Sequence, residues 1–191
     1  MASYRQYVKA RQVLQTGGVI AYPTEAVYGY GCDPFNQHAV AHLLAIKQRP
    51  WQKGLILIAA NTRQIAPLMD SLTADQRCRV ESAWPGPVTW LLPDPYHWIP
   101  ASIKGKFSSV AVRVTDHPVA KKICELWGGP VVSTSANRSG EQPCYSELAL
   151  RIRLQGRQAA EQPDMIVSGP TSGLAKPSAI RDLLSGETLR A

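Results

Sequence analysis

The chain has 191 residues, 45% of them hydrophobic and 18% charged, with a formal net charge of +7 at pH 7. That length fits one domain with a sizeable core, and the apolar runs fall well short of a membrane span, so neither a multidomain array nor a membrane protein is expected. The positive balance favours anionic partners, a nucleotide or RNA, with non-specific RNA binding allowed, but an ordinary solvated basic surface would carry the same charge.

The opening residues lack the apolar stretch of a secretory signal, and the four cysteines (Cys32, Cys78, Cys124, Cys144) form no C-x-x-C pair. Cytoplasmic residence with reduced thiols is expected, without a zinc site or a disulfide framework. Residues 7–15 carry Val8, Val13 and Leu14 at helical spacing before Gly17-Gly18. Residues 19–22 read as a buried strand that empties into Pro23-Thr24-Glu25-Ala26-Val27-Tyr28-Gly29-Tyr30-Gly31, a turn dense in hydroxyls and glycines. Asn36 is suited to cap a helix carrying Val40, Leu43 and Leu44, which Pro50 stops. Lys47 and Arg49 cannot share one side of an ideal helix, so Arg49 is placed past the helix end.

Further along, residues 55–60 form a continuous apolar run typical of a central strand. Thr62 and Thr73 are expected N-caps, and Thr73-x-x-Gln76 has capping-box spacing before a helix running toward Trp84. A strand over 88–92 leads into a loop over 93–106. In Ser109–Val114 the three valines share one face while Ala111 and Arg113 share the other. Asp116 is expected to cap a helix with Pro118 in its first turn, and a strand over 131–134 opens into Ser135-Ala136-Asn137. Ser146 is suited to cap a helix to Leu154; a short strand over 165–167, a Gly/Pro-rich loop over 169–177 and a segment over 178–183 complete the chain. Strands alternating with helices predict an α/β fold.

Hydroxyls of Thr24 and Tyr28 at a strand end, beside the cations Lys47 and Arg49, suit a small polar ligand carrying phosphate. There is no G-x-x-x-x-G-K-[ST] loop, and Gly29-x-Gly31 is too short for a dinucleotide fingerprint. His38 and His42 have metal-compatible spacing but no H-E-x-x-H glutamate; they read as a solvated helix face, and no metal site is expected. Arg113 is either an ion-paired sheet residue or a contact to an anionic substrate. Ser135 and Asn137 are either a turn or a site.

The ordered set Pro23-Thr24-Glu25 with Tyr28-Gly29, Lys47-x-Arg49, Pro85-Gly86-Pro87-Val88-Thr89, Val110-Ala111-Val112-Arg113-Val114 and Ser133-Thr134-Ser135-Ala136-Asn137 with Ser139-Gly140 resembles the YrdC-type threonylcarbamoyl-AMP synthase family in its short bacterial form. The resemblance implies a single domain over 1–191, a twisted mixed sheet with surrounding helices and a deep basic concave cleft. It implies an enzyme that converts L-threonine, bicarbonate and ATP into threonylcarbamoyl-AMP and pyrophosphate, for use by a separate transferase complex at tRNA position 37. Lys47 and Arg49 take the catalytic role, with ATP contacts from Lys47, Arg49, Lys53, Ser135, Asn137 and Ser178. Thr24, Tyr28, Thr134 and Arg113 hold threonine or bicarbonate, and Arg181 lies in the closing segment with Ser178. Mg2+ is expected to arrive with ATP, held by phosphate oxygens and water. Family members continue into Asn-Pro-Leu and a strand-end histidine, whereas this chain reads Lys53-Gly54-Leu55 on to Ile58 without one. The rival reading is a module that binds double-stranded RNA, tRNA or ribosomal RNA without catalysis; the lack of an RRM signature or GXXG loop counts against it.

Overall fold

The computed structural model describes residues 2–174 and 177–190. Helix α1 (Tyr4–Gln15) starts earlier than its apolar spacing predicts, because Ser3 and Gln6 close a reciprocal capping box. Strand β1 (Ile20–Pro23) follows and pairs antiparallel with β2 (Tyr28–Gly31), so half of the stretch read as a turn is a strand. The reason lies in its alternation. Tyr28 and Tyr30 are buried in the larger core, while a Cβ at Gly31 would collide with the Val132 carbonyl of the neighbouring strand.

Helix α2 (Gln37–Lys47) is capped by Asn36 as expected, and Gln48 ends it in the left-handed conformation. Strand β3 (Ile56–Ala59) is followed by a 3-10 turn that Asn61 caps in place of Thr62, since the Asn61 side chain accepts from the Arg63 amide. The short helix α3 (Ala66–Met69) and the Thr73-capped α4 (Ala74–Glu81) lead to β4 (Val88–Pro93). The segment read as a loop over 93–106 contains α5 (Ala101–Lys104). Buried Asp94 organises it, accepting from the Trp98 and Ile99 amides at 2.9 and 3.1 Å and from Lys104 Nζ at 2.8 Å.

Strand β5 (Ser109–Val114) precedes α6 (Pro118–Trp127), whose cap is His117 rather than Asp116: the imidazole Nδ1 accepts from the Ala120 amide. Then come β6 (Val131–Ser135), the Ser146-capped α7 (Glu147–Leu154), β7 (Met165–Ile166), β8 (Ala179–Asp182) and β9 (Thr188–Arg190). The expected loop over 169–177 includes positions 175 and 176, which lie outside the described residues.

Among the described residues nine strands join one mixed sheet in the order β7-β1-β2-β6-β3-β5-β4-β8-β9. Both of its flanks come from the C-terminal part of the chain: β7 pairs parallel with β1, and β8 pairs parallel with β4. One face is fully covered. Leu57, Ala59, Val110, Val112 and Val114 pack there with Val40, Leu43 and Ile46 of α2 and Leu68, Met69 and Val80 of the following helices. The other face is covered only in part, by Ala10 and Leu14 of α1 and by Val119, Ala120, Ile123 and Cys124 of α6, packed on Ile20, Tyr22, Ile58 and Val131. The register sets Ser133, Ile56, Ala111 and Leu91 in one row across β6, β3, β5 and β4, on that partly covered face. The uncovered part is the floor of a cleft. Among the described residues no helix is long and apolar enough to cross a membrane.

Candidate functional site

The cleft encloses about 470 Å³, and its floor is the row Ser133, Ile56, Ala111 and Leu91. Five cations line it, Arg49, Lys53, Lys104, Arg113 and Arg190, against one carboxylate, Glu25, among the described residues. Lys104 is already matched by Asp94 from outside the cleft wall. The cavity has the size and mixed lining of a small-ligand site, with positive charge in excess.

The β1–β2 turn supplies one end. Thr24 is buried at the cleft and donates its hydroxyl to the Val27 carbonyl at 2.7 Å, which closes the turn. Glu25 follows, 7% exposed, with Oε1 accepting from the Thr115 hydroxyl at 2.7 Å. Its Oε2 lies 3.1 Å from Arg113 Nη2, a close ion contact without hydrogen-bond alignment, and both Oε2 and Arg113 Nε are buried without a hydrogen-bond partner. Alternation on β5 turns Arg113 away from the core valines, so it is ion-paired and faces the cleft at once. Tyr28 does not reach the cavity. Its hydroxyl donates to the Gly169 carbonyl at 2.5 Å, and burial pushes its pKa up to about 12. It therefore supports the segment that crosses above the turn. The same segment is held by the Ser172 and Leu174 amides, which donate to the Thr24 and Glu25 carbonyls, and by His117 Nε2, 3.1 Å from the Pro170 carbonyl. With Nδ1 accepting at the helix cap, Nε2 carries the proton, and burial lowers the pKa of this neutral imidazole.

At the other end, Lys47 departs most from expectation. It is only 3% exposed and does not line the cleft. Helix α2 packs on the covered face of the sheet, so Lys47 approaches the end of β6 from behind and donates to the Ser135 carbonyl and, at 2.8 Å, to the Asn137 carbonyl. Its ammonium lies 5.9 Å from the Tyr30 ring centroid. Burial first, and the Arg49 charge second, lower its pKa to about 8. Arg49 does line the cleft. It grips the Gly54 carbonyl through Nε at 3.2 Å and Nη2 at 2.9 Å, fixing the turn that carries exposed Lys53.

Thr134, Ser135 and Asn137 all face the cavity from the end of β6. The Asn137 amide nitrogen donates to the Arg138 and Glu141 carbonyls, while its Oδ1 is buried without a partner. Ser178 is buried at the cleft wall, its hydroxyl 3.0 Å from that of Thr89 and its carbonyl accepting from Arg190 at 2.7 Å. Arg181 lies elsewhere, its guanidinium 5.9 Å from the Trp90 ring centroid. His42 turns a ring nitrogen to the Ala160 carbonyl at 3.2 Å, and the described residues contain no group of three or more His, Cys, Asp or Glu placed to hold a metal.

Of the lining residues without an assignment from the sequence, three bear most on the chemistry. Ser133 sits two before Ser135, so strand alternation could have placed both on one face. Glu25 lies inside the Pro-Thr-Glu motif, where nothing local shows that its carboxylate turns into the cleft toward Arg113. Arg190 had no local signal: only the pairing of β9 with β8 and of β8 with β4 brings it here.

A mixed sheet with one face half open and a cleft lined by cations and hydroxyls defines an α/β protein with a cavity suited to a small anionic ligand. Comparison with known proteins narrows the class. Residues 12–191 match the Sua5/YciO/YrdC family model, described as telomere recombination. A threonylcarbamoyl-AMP synthase of Cellvibrio japonicus is 52% identical over 184 residues, covering 95% of this chain and 93% of that protein. One from Vibrio campbellii is 47% identical over 195 residues, covering 100% and 99%. Among solved structures, P. abyssi Sua5 complexed with L-threonine matches with a TM-score of 0.83 at 28% identity over 94% of this chain. The chain spans about half of that longer protein, 51%. E. coli YciO shares the fold, with a TM-score of 0.79 at 24% identity over 99% of this chain and 92% of that one. The chain belongs to the Sua5/YciO/YrdC family.

Proposed function

We infer that this protein is an L-threonylcarbamoyladenylate synthase, forming threonylcarbamoyl-AMP and pyrophosphate from L-threonine, bicarbonate and ATP. The observation that carries the reading is the division of one cleft into two chemically distinct ends, supported by near-full-length likeness to relatives named threonylcarbamoyl-AMP synthase. At the Thr24 end, Glu25 and Arg113 offer one negative and one positive partner, which suits the zwitterion of an amino acid. A relative of this fold was solved with L-threonine. At the other end Arg49 and Lys53 present cations to a polyphosphate beside Ser135 and Asn137, while Arg190 and Ser178 add a cation and a hydroxyl on the Arg113 side of the cleft.

The chemistry asks for positioning and charge rather than a covalent intermediate. Threonine accepts CO2 on its amine to give N-carboxythreonine, and the carbamate oxygen attacks the α-phosphorus of ATP as pyrophosphate leaves. Arg49 and Lys53 offset the charge building on the departing pyrophosphate, and Thr134 and Arg113 hold the N-carboxythreonine in line, Arg113 through the threonine carboxylate. Lys47 acts from behind by fixing the Ser135 and Asn137 backbone. Magnesium enters as part of the nucleotide substrate, held by phosphate oxygens and water. The product is a mixed anhydride whose consumer is a tRNA threonylcarbamoyl transferase in the cytoplasm. A cavity of about 470 Å³ fits such substrates and favours them over a duplex RNA surface.

Exchange of labelled pyrophosphate into ATP tests the reading. It should require threonine and bicarbonate together and fall to background in CO2-depleted buffer. Strong exchange with threonine alone in CO2-free buffer would mean ordinary amino acid adenylation and would overturn it.

A further inference from the structure

We propose that Glu25 is the base that binds the threonine ammonium and takes its proton, so that the amine can be carboxylated. The inference rests on the synthase reading, because only carboxylation needs a free amine; adenylation of a preformed carbamate does not. An ammonium has no lone pair and cannot attack CO2, so some group in the cleft must accept a proton before the first bond forms.

Glu25 is the sole carboxylate among the described residues that line the cavity, facing five cations. It is therefore the one charge there that attracts an ammonium. Its two oxygens are differently engaged. Oε1 is fixed by the Thr115 hydroxyl at 2.7 Å, and Thr115 Oγ1 in turn accepts from the His117 amide at 3.2 Å, so the carboxylate is aimed from behind. Oε2 is buried at the cleft with no hydrogen-bond donor aligned to it, even though Arg113 Nη2 stands 3.1 Å away. A buried carboxylate oxygen left without a donor is costly, and a ligand N–H satisfies it. Arg113 Nε, buried and equally without a partner, is the matching donor for the threonine carboxylate.

Threonine ammonium gives one proton to Oε2 and becomes the amine. Its lone pair forms the N–C bond to CO2 while one C–O π pair moves onto oxygen, and the nitrogen then releases a second proton to water, leaving N-carboxythreonine. When bicarbonate is the source, the proton held on Glu25 converts its hydroxyl into departing water; the C–O bond breaks, CO2 is released beside the amine, and Glu25 is again a carboxylate.

The test compares two directions of one enzyme. Glu25→Gln should lower forward synthesis from threonine, bicarbonate and ATP by about a hundredfold or more, as removal of a general base does. Conversion of supplied threonylcarbamoyl-AMP and pyrophosphate back to ATP bypasses amine deprotonation and should fall by no more than about tenfold. Forward synthesis by the variant should also climb toward wild type as pH rises, gaining about tenfold per unit while the free amine is the minor species, more steeply than wild type does. Thr115→Val, which keeps the Glu25–Arg113 charge pair, should show the same forward-selective loss in milder form and guards against misfolding of the first variant. Equal losses in both directions, with no steeper pH dependence in either variant, would make Glu25 a structural partner of Arg113 and overturn the assignment. A wild-type protein inactive in both directions would overturn the synthase reading and this assignment with it.

Discussion

The two ends of the cleft hold their cations by opposite means. At the Thr24 end Arg113 faces a carboxylate, so the pair is close to neutral and its charges cancel at a distance. At the opposite end Arg49 in the cleft and Lys47 behind the sheet bond to backbone carbonyls of Gly54, Ser135 and Asn137, which satisfy their N–H groups without cancelling their charge. A cation held by carbonyls still attracts a polyanion; a cation held by a carboxylate presents a local dipole suited to a zwitterion. Partner type, more than the number of basic residues, thus divides the cleft.

The comparison breaks most severely at Arg113. Arg113→Ala leaves Glu25 as an uncompensated buried charge, and the expected cost is about 3–5 kcal/mol of stability together with loss of synthesis, read by denaturant melting and product formation. Adding Glu25→Gln should recover much of the stability and none of the synthesis; a double variant as unstable as the single one would argue against the pairing. Next comes Lys47→Met, which keeps the apolar stem but strands two carbonyls. A loss of about 1–3 kcal/mol is expected, with lower turnover from a loosened β6 end. This differs from the expectation for a surface cation, whose replacement would leave stability within about 0.5 kcal/mol of wild type.

Arg49→Ala should weaken ATP use strongly at a smaller stability cost, about 0.5–1.5 kcal/mol for the lost grip on Gly54. Arg49→Lys keeps the charge but not the two-pronged geometry and should recover only part of that activity. The smallest effect concerns pH. His117 is neutral when folded, with a depressed pKa, so the unfolded chain binds the extra proton below about pH 6.5. Its contribution to stability is present above that value and is lost as pH falls toward the folded pKa. Melting temperature should therefore decline from pH 7 to 5, and His117→Asn, which keeps a capping acceptor, should flatten the decline.

Much of this was legible along the chain, and the failures have physical causes. A continuous apolar run located β3, alternation located β5, short apolar stretches located β4 and β6, and the capping residues Asn36, Thr73 and Ser146 located the starts of α2, α4 and α7. Asp116 lost its capping role to His117 because two residues compete for one site and only packing decides. The glycines of β2 read as a turn because nothing local shows that Gly31 must clear the Val132 carbonyl. Lys47 and Arg49 stand out in the sequence as a pair, but a helix pattern does not reveal which sheet face the helix covers, and that choice sends one cation behind the sheet and the other to the cleft.

The arrangement of the sheet bears on how the chain is made. Synthesis supplies β1 through β6 by Ser135, yet β1 and β4, at the two outer sides of that partial sheet, gain their neighbours only with β7 at Met165 and β8 at Ala179. Until then two strands expose unpaired backbone N–H and C=O groups to any other chain nearby. A nascent or truncated molecule ending before β7 should consequently associate through both edges, whereas β7 and β8 cover them, and β9, which pairs with β8, brings Arg190 to the cleft.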